Sequence, residues 1–436
     1  MNRTANPHRD QRFFYGWYIV AAGLITYALG YGARYSFSVV FPSLLEEFKG
    51  TRDVTAAILS IHFLAYGASA PLAGFLVDRV GPRFTIVLGA SLLSFGLTLS
   101  QWGGSLLYLY CSFGILSGMG LSLMGAVPFT NTIKNWFERK RGLAFSIIVF
   151  GTGGAFAFYP AVAWLIHRVG WRTTFVIEAI VISGVVIPLA LSIIRYHPRE
   201  LGLFKDGMKE ESLPPPSAGN ETLAGRDCER PDEDWTFPHA LKNLRFWLIA
   251  FVAFSLWGVA DHILVAHHIA FAIDVGYSKI YASSVLSLFG LFRALGSLSG
   301  LISDRIGREL TLTIGTLIAV LAVFVFMNIQ DTSRPWMLYF YAVAFGLGVG
   351  LCSPTIMASI VDIVQGPRVG VTIGVVWFSF ALGGMVGPWL GGWLFELYGN
   401  YTLAFIVAIA MFLLACAALW VAAPRKSRRR LQALHP

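Results

Sequence analysis

The sequence contains one local pattern twice. Residues 74–83, Gly-Phe-Leu-Val-Asp-Arg-Val-Gly-Pro-Arg, return as residues 300–308, Gly-Leu-Ile-Ser-Asp-Arg-Ile-Gly-Arg. The correspondence continues outside the pattern at similar offsets, where Pro128 pairs with Pro354, Gly142 with Gly370, Pro160 with Pro388, and Gly170 with Gly399. Self-similarity over this length indicates two homologous halves in tandem, and the two halves should fold alike.

Hydropathy limits the class of fold. Charged residues make up 13% of the chain and hydrophobic residues 56%, and the mean hydropathy is +0.64; soluble domains carry roughly 25% charged residues. Twelve apolar stretches are long enough to cross a bilayer, near 17–41, 55–77, 84–101, 106–130, 142–166, 172–194, 246–270, 280–302, 310–329, 336–361, 371–394 and 401–423. Because hydrocarbon offers the backbone no hydrogen bonds, each stretch must be a helix. We predict an all-α membrane protein with twelve transmembrane helices in two six-helix bundles related by pseudo-two-fold symmetry, an architecture typical of secondary transporters.

The positive charge of the chain is distributed by topology. The net charge is +9, but with the N-terminus inside, seventeen Lys and Arg fall in the inner tails and short loops and six in the outer loops. This asymmetry follows the positive-inside rule and predicts cytoplasmic termini in a plasma-membrane protein. The basic run at 425–430 is typical of an anchor at anionic lipid, so we expect the lipid bilayer as a partner and no nucleic acid.

The chain divides at one polar segment. Residues 196–245 contain three consecutive prolines at 214–216 and a charged run at 226–234, which cannot bury enough apolar surface to order itself. We predict an N-tail at 1–16, a bundle at 17–195, a cytoplasmic linker at 196–245, a second bundle at 246–424 and a C-tail at 425–436. The four cysteines have no metal-ligand spacing, so we expect no metal and no cofactor.

Two arginines fall inside predicted spans. A buried charge in a bilayer costs at least ~2.5 kcal/mol, so such residues are functional candidates. Arg34 shares a helix face with Tyr31, and Arg293 lies in the eighth span. A guanidinium forks onto planar anions and stays charged at any working pH. The predicted substrate-binding set is Arg34, Arg293, Tyr31, Tyr35 and His62, although each arginine could instead belong to a fixed ion pair, such as Arg293 with Asp261.

A carboxylate and several histidines cluster in the seventh span. Asp261, His262 and His267 could couple substrate to protons, because substrate binding at an arginine would alter its pairing with Asp261 and because imidazole titrates near neutral pH. The alternative is that His267 and His268 are interfacial histidines satisfied by water. Asp78, Arg79, Asp304 and Arg305 of the repeated pattern are predicted conformational latches between the halves.

The two Gly-x-x-x-Asp-Arg-x-Gly patterns resemble the loop signature of the major facilitator superfamily. Within it, the chain resembles the monocarboxylate transporter and oxalate-formate antiporter group at residues 16–18, 32–37, 41–48, 136–144, 170–172, 234–236, 267–276 and 399–401. This resemblance implies two bundles around a central cavity, alternating access, and transport of small organic anions with protons or in exchange for a counter-anion. It also implies that Glu178, in the peripheral sixth helix, is a structural partner. The chain departs from the group at position 296, where the usual arginine is replaced by Gly296 and Arg293 lies one turn earlier.

Other functions were weighed against an organic-anion transporter. An exporter of larger amphipathic compounds would use the same fold, and thirty-four Phe residues would suit a greasy cavity. A membrane sensor would bind a ligand without moving it, but no signalling domain follows the last span. The sequence shows no nucleophile paired with a general base, as an enzyme would need. We expect the transporter to work as a monomer.

Overall fold

The computed structural model describes residues 14–138, 140–207, 242–298, 303, 305–363 and 369–422, and it is built from helices. Twelve long helical elements are labelled here in chain order: α1 Gly16–Phe48, α2 Arg52–Ala68, α3 Ala70–Ser100, α4 Leu106–Trp136, α5 Arg141–Gly154, α6 Tyr159–Ile193, α7 Leu244–Asp274, α8 Lys279–Ser297, α9 Arg308–Met327, α10 Pro335–Ile363, α11 Val369–Tyr398 and α12 Thr402–Ala422. No strand occurs in the described ranges.

These helices account for the predicted number of membrane crossings. Within the described ranges, nine helical segments are long and apolar enough to span a bilayer. One of them, Leu143–Ile193, has 51 residues, which is about 75 Å of helix and enough for two crossings of a ~30 Å core. The helix α1 adds one crossing, and α2 continues through the first turns of α3 to complete another. The twelve-helix prediction is therefore confirmed.

Glycines break the long helices at repeat-related positions. Gly81 interrupts α3 with φ 84°, and its repeat partner Gly307 precedes α9 with φ 103°. Gly170 interrupts α6 with φ 78°, and its partner Gly399 follows α11 with φ 71°. An L-residue with a side chain rarely adopts such angles, which explains why glycine occupies all four sites. The two halves thus share their chain reversals as well as their sequence pattern.

The helices pack as two bundles that meet along four pairs of helices. Within the first bundle α3 packs on α6 and α1 on α5, and within the second α10 packs on both α8 and α9. Between the bundles the contacts are α2 with α11, α5 with α8, α1 with α7, and α6 with α8. The first two pairs are exchanged by the repeat symmetry, because α2 and α5 of the first half correspond to α8 and α11 of the second.

Two ends of the molecule are distinguished below. The junction end holds the breaks at Gly81 and Gly307 and the starts of α1 and α7; the far end holds residues 49–51, 275–278 and 399–401. Residues 1–13 of the predicted N-tail, residues 208–241 of the linker and the C-tail lie outside the described residues.

Candidate functional site

A cavity of about 340 Å³ lies between the two bundles. It is lined from the first bundle by α1, α4 and α5 and from the second by α7, α8, α10 and α11. Seven of the lining residues are aromatic: Tyr27, Tyr31, Tyr35, Phe145, Trp257, Trp377 and Phe380. The remaining lining includes Ser297 and Met357, near the ends of their helices at the junction end. The repeats therefore enclose a largely apolar chamber at the place where many secondary transporters bind substrate.

Arg34 lies buried behind this lining. Its side chain is 1% exposed, and its Nε, Nη1 and Nη2 atoms have no hydrogen-bond partner within the described chain. The guanidinium carbon lies 5.2 Å from the ring centroid of Tyr31, 4.3 Å from that of Tyr66 and 4.4 Å from that of Phe63. Aromatic faces attract a cation but provide no acceptor for its N–H groups. Buried donors without partners are rare in folded proteins, and this cluster of three indicates an acceptor outside the described chain, such as an anion or water.

The other predicted members of the binding set divide into cavity residues and a buried histidine. Tyr31 and Tyr35 line the cavity, and the Tyr31 hydroxyl lies 3.1 Å from that of Tyr66. His62 does not line it: its Nδ1 donates to the carbonyl of Phe113 over 3.1 Å, and its Nε2 has no partner among the described groups. The ring of Phe63 lies 6.4 Å from the His62 ring and 4.4 Å from the guanidinium carbon of Arg34.

Arg293 lines the cavity and is held by an acid. Its Nη1 donates to both oxygens of Asp261, over 3.1 Å and 2.8 Å. The Asp261 side chain is 1% exposed and that of Arg293 13%. The sequence analysis left open whether Arg293 pairs with Asp261. The ion pair is present in the structure, and it joins α7 to α8 beside the chamber. A substrate carboxylate would have to compete with Asp261 for this guanidinium.

The wide turn before Asp261 positions His262. Residues Ala253–Ala260 of α7 are π-helical, a geometry that often occurs at functional sites. The Trp257 carbonyl in this stretch accepts a hydrogen bond from His262 Nδ1 over 2.6 Å. The Nε2 of His262 then carries no hydrogen in the neutral ring and has no partner in the described chain. His262 lines the cavity, while this nitrogen is itself buried.

His267 belongs to a different group of residues, at the far end. Its Nε2 donates to the Pro388 carbonyl over 2.8 Å, so its Nδ1, 3.2 Å from the Tyr401 hydroxyl, must accept from that hydroxyl. Tyr401 in turn accepts from Arg52 Nη1 over 2.6 Å. Arg52 also pairs with Asp274 over 2.8 Å. One hydrogen-bonded chain therefore joins α2 of the first bundle to α7, α11 and α12 of the second.

Further contacts close the far end between the bundles. The backbone N–H of Arg52 donates to Glu396 over 2.6 Å, the ammonium of Lys279 donates to Ser43 over 2.6 Å, and Ser38 donates to the carbonyl of Val265 over 2.6 Å. In the sequence, Arg52 and Lys279 are two of the six positive residues of the predicted outer loops. No local pattern indicates that they join the bundles, because their partners are distant in sequence.

The interpretation of His267 and His268 as water-satisfied interfacial residues is wrong. Both side chains are fully buried. The two nitrogens of His268 have no partner in the described chain, and its ring is packed against those of Tyr159, Phe289 and Tyr341. Helix α7 is enclosed along most of its length, which the hydropathy pattern of a single helix does not reveal.

The predicted latch residues lie at the junction end. Asp78 and Arg79 are exposed, and the guanidinium of Arg79 lies over Phe75 of its own helix. No ion pair joins Asp78, Arg79 or Arg305 to the other bundle within the described part of the chain. Asp304 lies outside the described residues. Glu178 accepts a hydrogen bond from Ser36 of α1 over 3.1 Å, and so links α6 to α1.

The chain was compared with known proteins. The family model for the Major Facilitator Superfamily matches residues 23–339 and 269–435. Monocarboxylate transporter 13 of Rattus norvegicus is 27% identical over 94% of this chain and 89% of its own length. An uncharacterized MFS-type transporter, YcxA of Bacillus subtilis (strain 168), is 25% identical over 96% of this chain and 97% of its own length.

A solved structure shares the fold. It is a bacterial homolog of the human lysosomal transporter Spinster, in an inward-facing and unoccupied conformation, with a TM-score of 0.69 and 17% identity over 98% of this chain and 99% of that chain. The family match extends over nearly the whole chain, and the helix arrangement agrees with it. The protein is a multi-pass membrane transporter that belongs to the major facilitator superfamily.

Proposed function

We propose that the protein is a secondary active transporter of small organic anions, mono- or dicarboxylates, that works by proton symport or anion exchange through alternating access. The observation that carries this proposal is the buried guanidinium of Arg34, whose three nitrogens have no partner in the described chain. Three N–H-bearing nitrogens in a planar fork match the geometry of a carboxylate.

The other unpartnered groups near the cavity favour the same charge. Trp257 Nε1 can only donate a hydrogen bond, the Tyr27 hydroxyl can donate one, and neither has a partner in the described residues. The carboxylate of Asp261 is already engaged by Arg293. The chamber thus has spare donors and few spare acceptors, which suits an anion better than a cation or an amine.

The names of the relatives support the choice of substrate class. Relatives from Rattus norvegicus and Mus musculus that are 27% identical to this chain are named monocarboxylate transporters 13 and 11. Their names describe those proteins, and only the proposal extends the class to this one.

Proton coupling would involve Asp261, His262 and His267. A carboxylate bound at Arg34 that draws Arg293 away from Asp261 would leave the buried Asp261 charge without its partner, and a proton would then neutralise it. His262 lines the same chamber, and its unpartnered Nε2 would offer a route for that proton. His267 would sense protonation at the far end through Tyr401.

The observed state fits one side of a transport cycle. Its far end is closed by the Arg52 chain of hydrogen bonds, while the cavity lining runs toward the junction end. With both termini in the cytoplasm, as the charge distribution predicts, this state faces inward. Asp78, Arg79, Asp304 and Arg305 would then pair across the junction end in the opposite, outward-facing state. We assign the bundles to 17–195 and 246–424, in a plasma-membrane monomer.

Uptake into proteoliposomes tests the proposal. Radiolabelled lactate, pyruvate and oxalate are presented with and without an inward-acid pH gradient. Saturable uptake of at least one acid supports the proposal, and stimulation by the gradient distinguishes symport from exchange. If no organic acid is taken up or exchanged by correctly folded protein, the proposed function is wrong.

Arg34 is tested by a pair of substitutions and a surface control. We expect Arg34→Ala to reduce uptake by roughly 100-fold or more, since a buried charged hydrogen bond to substrate contributes on the order of 3 kcal/mol. Arg34→Lys keeps the charge but loses the planar fork and should retain partial uptake. Arg168→Ala, at an exposed arginine, should leave uptake unchanged. Normal uptake by Arg34→Ala would remove this residue from the site.

A further inference from the structure

We infer that the preferred substrates are aromatic monocarboxylates, in which a planar ring fills the chamber and one carboxylate reaches the buried guanidinium. This inference rests on the proposed function and narrows it from organic acids in general. It is carried by the shape, the lining and the charge of the cavity between the bundles.

The first wall of the chamber is a ladder of tyrosines on α1. Tyr27, Tyr31 and Tyr35 are spaced four residues apart and so lie on one helix face. The ring centroids of Tyr27 and Tyr31 are 5.2 Å apart and those of Tyr31 and Tyr35 are 6.3 Å apart, with interplanar angles of 34° and 33°. All three line the cavity, so this wall presents aromatic surface along its length.

The opposite wall is aromatic as well. Trp257 of α7 and Trp377 of α11 stack with ring centroids 6.0 Å apart at 23°. The ring of Phe380 lies edge-on to both, 6.2 Å and 5.7 Å away. His262 connects the walls, since its ring lies 6.4 Å from Tyr35 and 5.7 Å from Phe380. A flat ring entering this space would meet aromatic partners on both sides, and such pairs prefer the stacked or edge-on geometries that the lining already uses.

The size of the cavity exceeds the needs of a three-carbon acid. Lactate has six non-hydrogen atoms, and even at the ~30 Å³ that a water molecule occupies in the liquid, six atoms fill roughly 180 Å³. The cavity measures about 340 Å³. An apolar ring that fills the remaining volume removes aromatic surface from water, whereas a small acid would leave the aromatic walls of the cavity in contact with water.

The charge of the site matches one carboxylate. Arg293 is neutralised by Asp261, which leaves Arg34 as the cation beside the chamber that has no acid bound in the described chain. A second carboxylate on the ligand would face aromatic rings or Asp261 and would lose its hydration without compensation. Trp257 Nε1 offers one further donor to the bound acid.

Matched ligands test the inference. Purified protein is titrated, and proteoliposome uptake is measured, with indole-3-acetate, phenylacetate, cyclohexylacetate, 2-phenylethanol and lactate. We expect indole-3-acetate to half-saturate at a concentration lower than lactate by roughly tenfold or more, because the extra ring is buried. Phenylacetate should bind roughly three- to tenfold more tightly than cyclohexylacetate, which carries the same carboxylate on a ring without π electrons. The uncharged 2-phenylethanol should not compete.

Substitutions in the wall provide a second readout. Trp377→Leu should reduce the preference for phenylacetate over cyclohexylacetate, while Trp393→Leu, at an exposed tryptophan of the same helix outside the cavity, should keep it. Size-exclusion profiles and melting temperatures establish that both variants fold.

The outcomes separate the two levels of the proposal. If lactate or pyruvate is transported with equal or lower half-saturation than the aryl acids, or if phenylacetate and cyclohexylacetate bind alike, the aromatic preference is wrong and the organic-anion function stands. If no acid binds or is transported, the proposed function is overturned, and the aromatic preference with it.

Discussion

The two arginines beside the chamber differ in the groups that surround their charge. Arg293 has a carboxylate partner in Asp261, whereas Arg34 is surrounded by the faces of Tyr31, Phe63 and Tyr66. An ion pair is stable in a single arrangement, and removal of one partner leaves a charge that the interior cannot solvate. A guanidinium among rings keeps its hydrogen-bond donors unpaired. Arg293 is thus held in one arrangement by Asp261, whereas Arg34 has no partner in the described chain.

A double-mutant cycle measures the coupling of Asp261 to Arg293. We expect Asp261→Leu alone and Arg293→Leu alone each to destabilise the protein by about 3–5 kcal/mol, because each leaves an uncompensated charge. The double variant should be considerably more stable than the sum of the single effects predicts. Thermal unfolding in detergent, read by the loss of native fluorescence, provides the measurement. Additive effects would show that the pair is not coupled.

At the scale of helices, the halves touch through backbone as much as through side chains. In the α5–α8 pair, a Cβ built on Gly153 would lie 2.7 Å from the Gly290 carbonyl oxygen and 2.7 Å from the Ala294 Cβ. In the α2–α11 pair, a Cβ on Gly67 would overlap with that of Ala381. Small residues permit this approach, which is how helices gain van der Waals contact in a bilayer that offers no hydrophobic drive.

Gly153 is the test of this contact. We expect Gly153→Val to push α5 from α8, to lower stability by about 1–3 kcal/mol and to impair transport. Gly184→Val serves as a matched control, because Gly184 is also helical and a Cβ built on it has no neighbour within 4 Å. Melting temperature and uptake rate are the readouts. Equal behaviour of the two variants would contradict the close-contact interpretation.

The start of α2 controls the far end. Arg52 pairs with Asp274 across the bundles, whereas Arg172 pairs with Glu47 within the first bundle. We expect Arg52→Gln to increase the distance between spin labels at positions 49 and 400 in a cysteine-free background. Arg172→Gln removes a similar far-end charge and should leave that distance unchanged. An unaltered distance distribution in Arg52→Gln would show that other contacts keep the far end closed.

At the scale of the molecule, contacts between the two bundles close the far end, and the cavity lies on the junction side of these contacts. The closing contacts include a histidine, a tyrosine and an arginine in one hydrogen-bonded chain. Only neutral His267 can accept from Tyr401 while it donates to Pro388. The bond from Tyr401 to His267 lies within the second bundle and orients the hydroxyl that accepts from Arg52 of the first bundle.

The expected consequence of losing this bond is a looser far end. His267→Leu, which can neither donate to Pro388 nor accept from Tyr401, should increase the distance between labels at positions 49 and 400 at constant pH. An unchanged distance distribution would show that Arg52 closes the far end without help from His267.

The features that could be predicted from the sequence are those that depend on local properties of the chain. The helices, their number and the fold could be predicted, because apolar composition and backbone hydrogen bonding are local properties. The repeat pairs the four glycines at which the structure breaks the helices, since only glycine tolerates such angles without strain. Arg34 and Arg293 could be selected as candidates, because charge inside a membrane is costly wherever it occurs.

Which partner each candidate meets was decided by tertiary structure. Asp261 and Arg293 are 32 residues apart, Arg52 and Asp274 are 222 apart, and Arg52 and Tyr401 are 349 apart. No pattern within one helix encodes such a contact, because helix rotation and the fit of two bundles bring those atoms together. By itself, the sequence determined that Arg34 and Arg293 lie inside the membrane. The packing of the two halves decided that Arg293 is neutralised by an acid, that Arg52 joins the bundles at the far end and that Arg34 has no partner in the described chain, since only packing sets the distances on which charge interactions depend.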